Sequence, residues 1–202
     1  MARRKDHTRE DLRNLILEAA WKIVADEGVS ALTARRLAAD IGYAAGTIYN
    51  VFPSMDDLLL HINGKTLILL LETLNHPSCH ATTNTPLTNM KMMAARYVDF
   101  ATIMRPFWKA LFLENIEESR YEEAWYKDRV EAVFRPLENC LETLLPHLSE
   151  DTRKLHAHIL WSSVHGLTFL SATGKLPESR FPNSTNHMID CLIENYIKGI
   201  TL

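Results

Sequence analysis

The stretch Thr33–Phe52, TARRLAADIGYAAGTIYNVF, holds the residues whose types and spacing point most clearly to chemistry. It reads as two short helices joined by a tight turn at Gly42. The second helix is too short and too small-sided to stand as an element by itself. A short helix with a small, polar N-terminal face, held by a helix behind it, is what the major groove of duplex DNA admits. The chemistry expected is therefore recognition of double-stranded DNA by a helix-turn-helix.

Bond-making chemistry has no comparable signal. The sequence holds no G-x-S-x-G, no phosphate-binding P-loop, no H-E-x-x-H and no paired Cys/His ligands, so an enzyme is not expected. His76, Cys79 and His80 form an H-x-x-C-H in a Thr/Asn-rich stretch with no second ligand pair nearby, and a tetrahedral site needs four ligands. His156 and His158 are two apart on a helix and cannot chelate on one face. Neither a metal nor a cofactor is expected. The acidic pairs Glu117-Glu118 and Glu122-Glu123 read as a solvated helical surface.

Charge and length bound the class. The 202 residues suffice for one or two small domains, and 47% hydrophobic residues are ordinary for a globular chain. The net charge of −3 divides unevenly: residues 1–52 carry eight Lys/Arg against seven Asp/Glu, and the remainder fourteen against eighteen. The first thirteen residues hold Arg3, Arg4, Lys5, Arg9 and Arg13 against Asp6, Glu10 and Asp11. Two readings of this arm stand: a basic segment along phosphates or in a minor groove, and a solvated start. Cys79, Cys140 and Cys191, odd in number and without C-x-x-C spacing, suit reduced thiols in a cytoplasmic protein. The N-terminus is charged rather than leader-like. The most apolar run, Leu58–Leu74, is interrupted by His61, Asn63, Lys65 and Glu72; it reads as a core helix, with no membrane partner.

The elements that must position the Thr33–Phe52 unit are helices, and the whole chain reads as all-α. Leu12, Leu15, Ile16, Ala19, Ala20, Ile23 and Val24 form the buried stripe of a first helix over about 8–27, capped by Thr8 and closed by Gly28. Thr33 caps the second, which turns Leu37, Ala38 and Ile41 inward. The third covers about 45–51, with Ile48 and Phe52 inward, and Pro53 forbids its continuation. Ser54 caps the fourth. After a Pro/Thr/Asn-rich stretch from about residue 75, helices are expected over about 87–104, from Pro106, over about 118–145 with a kink or break at Pro136, over about 150–173 closed by Gly174 and Pro177, and over about 184–200.

The segments ILEAAWKIVADEG and LTARRLAADIGYAAGTIYNVFPSMDDLL together resemble the N-terminal domain of the tetracycline-repressor (TetR) family, over roughly residues 9–60. Leu37-Ala38, Gly42, Gly46-Thr47, Tyr49 and Phe52 stand where the family has them. The later WSSVHG, with Trp161, His165 and Gly166, resembles a Trp-x-x-x-His-Gly signature of one subgroup's C-terminal domain. The resemblance implies a three-helix DNA-binding domain over 1–53 and a helical bundle for ligand binding and dimerisation over 54–202.

It also implies roles. Thr33 offers a hydroxyl or amide to a phosphate. Arg35 and Arg36 lie on the second helix, Arg35 at a position that reaches a base edge or phosphate; a solvated face is the other reading of both. Tyr43, Ala44 and Ala45 occupy the turn and the start of the recognition helix, followed by Gly46. Thr47 and Tyr49 resemble phosphate-clamping hydroxyls, a core aromatic being the other reading of Tyr49; Asn50 can touch base or backbone, and Phe52 is core. Two positions depart from the pattern. Ala44-Ala45 replaces a polar pair, and an alanine methyl can pack on a thymine methyl but cannot hydrogen-bond a base edge. Met55 replaces a lysine, which removes one phosphate contact and should make the salt slope shallower by roughly one unit per half-site.

The C-terminal half is where a signal would enter. Met104, Phe107, Trp108 and Phe112 form a dense apolar segment, Trp125 belongs to the next aromatic run, and Trp161, His165 and Phe169 share a face at i, i+4, i+8. These residues read either as lining a ligand pocket between helices or as plain core. His165, on an apolar face, needs a partner or a ligand. The relatives dimerise through their last two helices, which here carry Leu155, Ile159, Leu192 and Tyr196. The expectation is a ligand-responsive transcriptional regulator of bacterial type, a repressor that binds a palindromic operator as a homodimer and is released by a small apolar or aromatic molecule. The alternative is an α-helical small-molecule-binding or interaction protein with weak or lost DNA specificity.

Overall fold

The structure, a computed structural model, describes residues 8–116, 118–176 and 184–201. Arg3, Arg4 and Lys5 of the basic arm, Glu117 and Pro177 lie outside the described residues. Every regular element described is helical: α1 (Arg9–Glu27), α2 (Ala34–Ile41), α3 (Ala45–Val51), α4 (Met55–Leu74), α5 (Pro86–Ile103), α6 (Arg105–Leu113), α7 (Glu118–Tyr121), α8 (Ala124–Leu144), α9 (Glu150–Ala172) and α10 (Ser184–Thr201). Short 3-10 turns lie at Val29–Ala31 and Pro77–His80. The all-α expectation holds.

The boundaries follow from local chemistry. Thr8 and Asp11 form a reciprocal capping box: the Thr8 hydroxyl accepts from the Asp11 amide at 3.1 Å, and the Asp11 carboxylate accepts from the Thr8 amide at 3.2 Å. Thr33, Ser54 and Ser149 cap α2, α4 and α9 through their hydroxyls, at 3.2, 3.0 and 3.2 Å from the amide three residues on. Each such cap stabilises by about 1 kcal/mol. Gly42 ends α2 in the left-handed region (φ 75°, ψ 31°), where its missing Cβ removes the steric cost of the turn into α3.

One expected element differs. The sequence predicts a single helix over about 118–145, interrupted at Pro136. Instead α8 continues through Pro136, and the break lies at Glu122-Glu123. Tertiary contacts fix it there. The Glu123 carboxylate accepts from the Trp125 indole N–H at 2.6 Å and pairs with Arg120 at 3.4 Å, while Arg120 reaches Asp57 at 3.5 Å. Glu123 is thus engaged rather than simply solvated, whereas exposed Glu122 pairs with Lys127.

Compactness divides the chain into a unit of residues 1–66 with 105–127 and a unit of 67–104 with 128–202. In the first, Ile16, Ala20, Val24, Leu37, Ala38, Ile48 and Phe52 form the core under the helix-turn-helix. Trp21 stacks on Phe107 (centroids 3.7 Å apart, 18° between planes), so α6 packs with α1. In the second, α10 packs on α5 and α9, burying Ile189, Ile193 and Ile197. Among the described residues no helix is long and apolar enough to cross a membrane.

Candidate DNA interface and ligand cavity

The helix-turn-helix is held from behind. Ile48 and Phe52 are each 1% exposed, and these two contacts fix which side of α3 faces outward. Phe52 lies edge-on to His61 and under the Arg13 guanidinium, 5.2 Å from the ring centre. With that face buried, the opposite one carries Gly46, Tyr49 and Asn50, all exposed, flanked by half-buried Thr47. Tyr49 is 50% exposed, although its ring is large and apolar. Ala44 stands at the N-cap of α3 without a side-chain cap, and Ala45 begins the helix, so the amide end of α3 opens outward between methyl groups. A Cβ added at Gly46 would meet no atom within 4 Å.

Thr33 is exposed, and its hydroxyl accepts from the Arg36 amide. The two arginines differ sharply. The Arg36 guanidinium lies between Asp40 (Nε to both carboxylate oxygens, 3.1 Å) and Glu27 at the end of α1 (2.8 Å). These carboxylates, Asp40 first, hold Arg36 above its ordinary guanidinium value. Arg35 is exposed and makes no ion pair or hydrogen bond among the described residues. Tyr43, in the turn, is half-buried, and its amide donates to Ala38 at 2.8 Å.

The expected ligand residues fall in both units. Phe107, Trp108, Phe112 and Trp125 belong to the first unit, where Trp108 is 1% exposed and Trp125 stacks on His61. The second unit contains a cavity of about 60 Å³ whose walls include Met90, Met93, Tyr97, Phe134, Leu160 and Trp161. Trp161 of the expected set is among the described residues that line it. His165 stands beside it: its ring stacks on Trp161 (5.0 Å, 21°), and its Nδ1 is 2.6 Å from the Tyr97 hydroxyl. Burial holds His165 below its ordinary imidazole value. Phe169 follows at 6.5 Å from His165, and Met104 contributes to a separate surface groove with Phe100 and Ile103. Tyr97, Met90 and Met93 line this cavity and lie outside the expected set. Their signal was the helical stripe 90, 93, 94, 97, which carries a single polar group.

Elsewhere, His76 Nδ1 accepts from the Ser78 amide at 3.3 Å, and His80 Nε2 lies 3.0 Å from the Leu74 carbonyl, so both rings serve the local turn. Cys79 and Cys140 are buried and Cys191 is exposed, all as free thiols; burial pushes Cys140 up to about 11. On the α9–α10 face, Leu155 is 58% and Ile159 39% exposed, Leu192 is half-buried, and Tyr196 bonds His156 at 2.6 Å.

Two family models match the chain: "Bacterial regulatory proteins, tetR family" over residues 16–62, and "Tetracyclin repressor-like, C-terminal domain" over residues 90–196. No curated protein matches it. Among solved structures, the chain is similar to a Rhodococcus sp. RHA1 protein of unknown function (TM-score 0.73, 17% identity, 98% of each chain covered). It is also similar to the TetR family transcriptional regulator PfmR of Thermus thermophilus (0.58, 13%, 91% of this chain and 97% of that one). A third similar structure is the fatty acid degradation regulator FadR of Bacillus halodurans (0.63, 12%, 97% and 98%). At these identities the structures share the fold, while the two family models together span the DNA-binding and C-terminal parts. The chain therefore belongs to the TetR family of bacterial transcriptional regulators and is a regulator rather than an enzyme.

Proposed function

We propose that the chain is a cytoplasmic, ligand-responsive repressor that binds a palindromic operator as a homodimer. The observation that carries the reading is the outward face of α3, where Tyr49 stays half exposed over a core closed by Ile48 and Phe52. Thr33, Thr47 and Tyr49 anchor phosphates, while Arg35, Tyr43, Asn50 and DNA shape set the sequence read around Ala44 and Ala45. Arg36, already offset by two carboxylates, contributes mainly by bracing α2 against the end of α1. Residues 1–53 are the DNA-reading domain, and 54–202 bind the effector and dimerise. The exposed Leu155 and Ile159, with Leu192 and Tyr196, are the α9–α10 surface that a second copy covers. A two-fold dimer then reads half-sites about one DNA turn, or a multiple, apart.

Release follows from linkage. An apolar molecule entering the second unit favours a state in which α4 swings and the two heads no longer fit successive grooves. DNA must then weaken the ligand as much as the ligand weakens DNA. Equal ligand affinity for free and DNA-bound protein contradicts the scheme. The first experiment is a gel shift with the DNA upstream of the chain's own gene: specific retardation, lost on Tyr49→Ala, supports the regulator. Ala44, Ala45 and Met55 favour a second reading, a helical binding protein with lost DNA specificity. Absence of binding to any duplex at low salt supports that one.

A further inference from the structure

Phe134 stands between the cavity of the second unit and a groove on the surface between α8 and α9. It is 8% exposed and is among the residues that line both. The helical period explains the sharing: Val133 and Leu137 of α8 turn to the cavity, Arg135 and Glu138 turn to the groove, and Phe134 lies on the seam. On the cavity side its ring meets Trp161 edge-on (centroids 5.6 Å apart, 66° between planes). On the groove side His158 lies flat on it (4.0 Å, 13°). The exposed His158 ring is held there by its Nδ1–H, which donates to the Lys154 carbonyl at 2.8 Å. The stacked pair is an aromatic spot in a groove edged by charge, where Lys154 pairs with Glu150 at 2.7 Å and Arg153 with Glu142 at 3.5 Å.

Size decides what can enter. The cavity of about 60 Å³ is too small for a benzene ring, which an apolar cavity of about 150 Å³ accommodates. Turning Phe134 outward adds to it the volume of a phenyl ring. The displaced side chain then lies along the groove, which at about 520 Å³ has room for it. An aromatic molecule arriving from the groove replaces the contacts that the ring leaves behind, the edge-on one with Trp161 included. The stack on His158 opposes the turn and keeps the open state a minor one in the free protein. Apparent ligand affinity is then reduced by the population of that state.

We infer that Phe134 is a plug: an apolar aromatic effector enters from the α8–α9 groove and takes the place of its ring, and His158 holds the plug shut. The inference rests on the cavity being the effector site. The test titrates the full chain with toluene and follows the methyl NMR signals of Met90 and Met93, which line the cavity. Their line shapes give the association and dissociation rates. His158 stands on the groove side, so His158→Ala removes the latch while the cavity wall keeps its residues. Association in this variant should be about two- to ten-fold faster, the worth of one aromatic pair, with dissociation unchanged and affinity improved by the same factor. His158→Phe keeps a stacked ring and should match the parent. Phe134→Ala has no plug and should bind toluene more tightly than the parent. Parent-like association in His158→Ala, or a change confined to dissociation, overturns the plug while leaving the cavity as the site. Weaker toluene binding in Phe134→Ala than in the parent makes Phe134 a wall of the site and overturns the plug as well. Absence of Met90 and Met93 shifts in the parent and in both alanine variants overturns the cavity itself, and the plug with it.

Discussion

Gly46 offers a substitution whose effects on fold and on DNA binding should have opposite signs. It is the second residue of α3, and its backbone is not in the left-handed region. A Cβ there meets nothing within 4 Å, so neither conformation nor packing in the free protein requires glycine. Gly46→Ala therefore restricts the unfolded chain without straining the folded one, a stabilisation of about 0.4–1 kcal/mol. In a chain of this length that raises Tm by about 1–4 °C. In the proposed complex the same methyl stands on the face that meets the phosphate backbone. A methyl forced into a packed contact costs about 1–3 kcal/mol, so operator affinity should fall about five-fold or more. A thermal melt and a fluorescence-anisotropy titration at one fixed salt concentration measure the two effects. A higher Tm with operator affinity within about two-fold of the parent refutes the placement of this face on DNA. A lower Tm refutes the claim that the fold leaves room.

Other perturbations separate the remaining parts. Met55→Lys restores a cation before Asp56-Asp57 and should steepen the salt dependence of operator binding by roughly one unit per half-site, read from log Kd against log salt. Arg35→Ala should make that slope shallower by a similar amount, whereas Arg36→Ala should leave it nearly unchanged because Asp40 and Glu27 already hold that charge. Leu155→Glu with Ile159→Glu places carboxylates on the exposed α9 face and should yield monomers in sedimentation that keep their helical circular dichroism. His165 has a depressed imidazole value when folded, so the unfolded chain binds a proton there that the native chain does not. Its contribution to stability is present above the ordinary histidine range and is lost as pH falls through it. His165→Asn should therefore show a smaller drop in Tm between about pH 7 and about pH 5.

The DNA-binding head was largely legible because its signals are local. Thr8 with Asp11, Thr33, Gly42, Pro53 and Ser54 each fix a boundary through a hydrogen bond or a steric rule acting within four residues. The packing partners of Phe107 and Trp125 were not, because periodicity gives an aromatic residue a buried face but does not choose which helix it packs on. Trp21 chose Phe107, and His61 chose Trp125. The same limit explains the break before α8. Proline is the strongest local breaker in that stretch, yet the interruption lies where Glu123 and Arg120 find partners. The hydrogen bond between Tyr97 and His165 joins residues 68 positions apart, and only the fold brings them together.

In the proposed complex, two copies of α3 read two turns of one duplex. Selection of bound fragments from random duplex DNA at low salt tests it most directly. The expected result is enrichment of a palindrome whose half-sites lie about one helical turn, or a multiple, apart, with enrichment lost in Tyr49→Ala. Recovery of unenriched sequence, or of a single asymmetric half-site bound equally well by Tyr49→Ala, would contradict it.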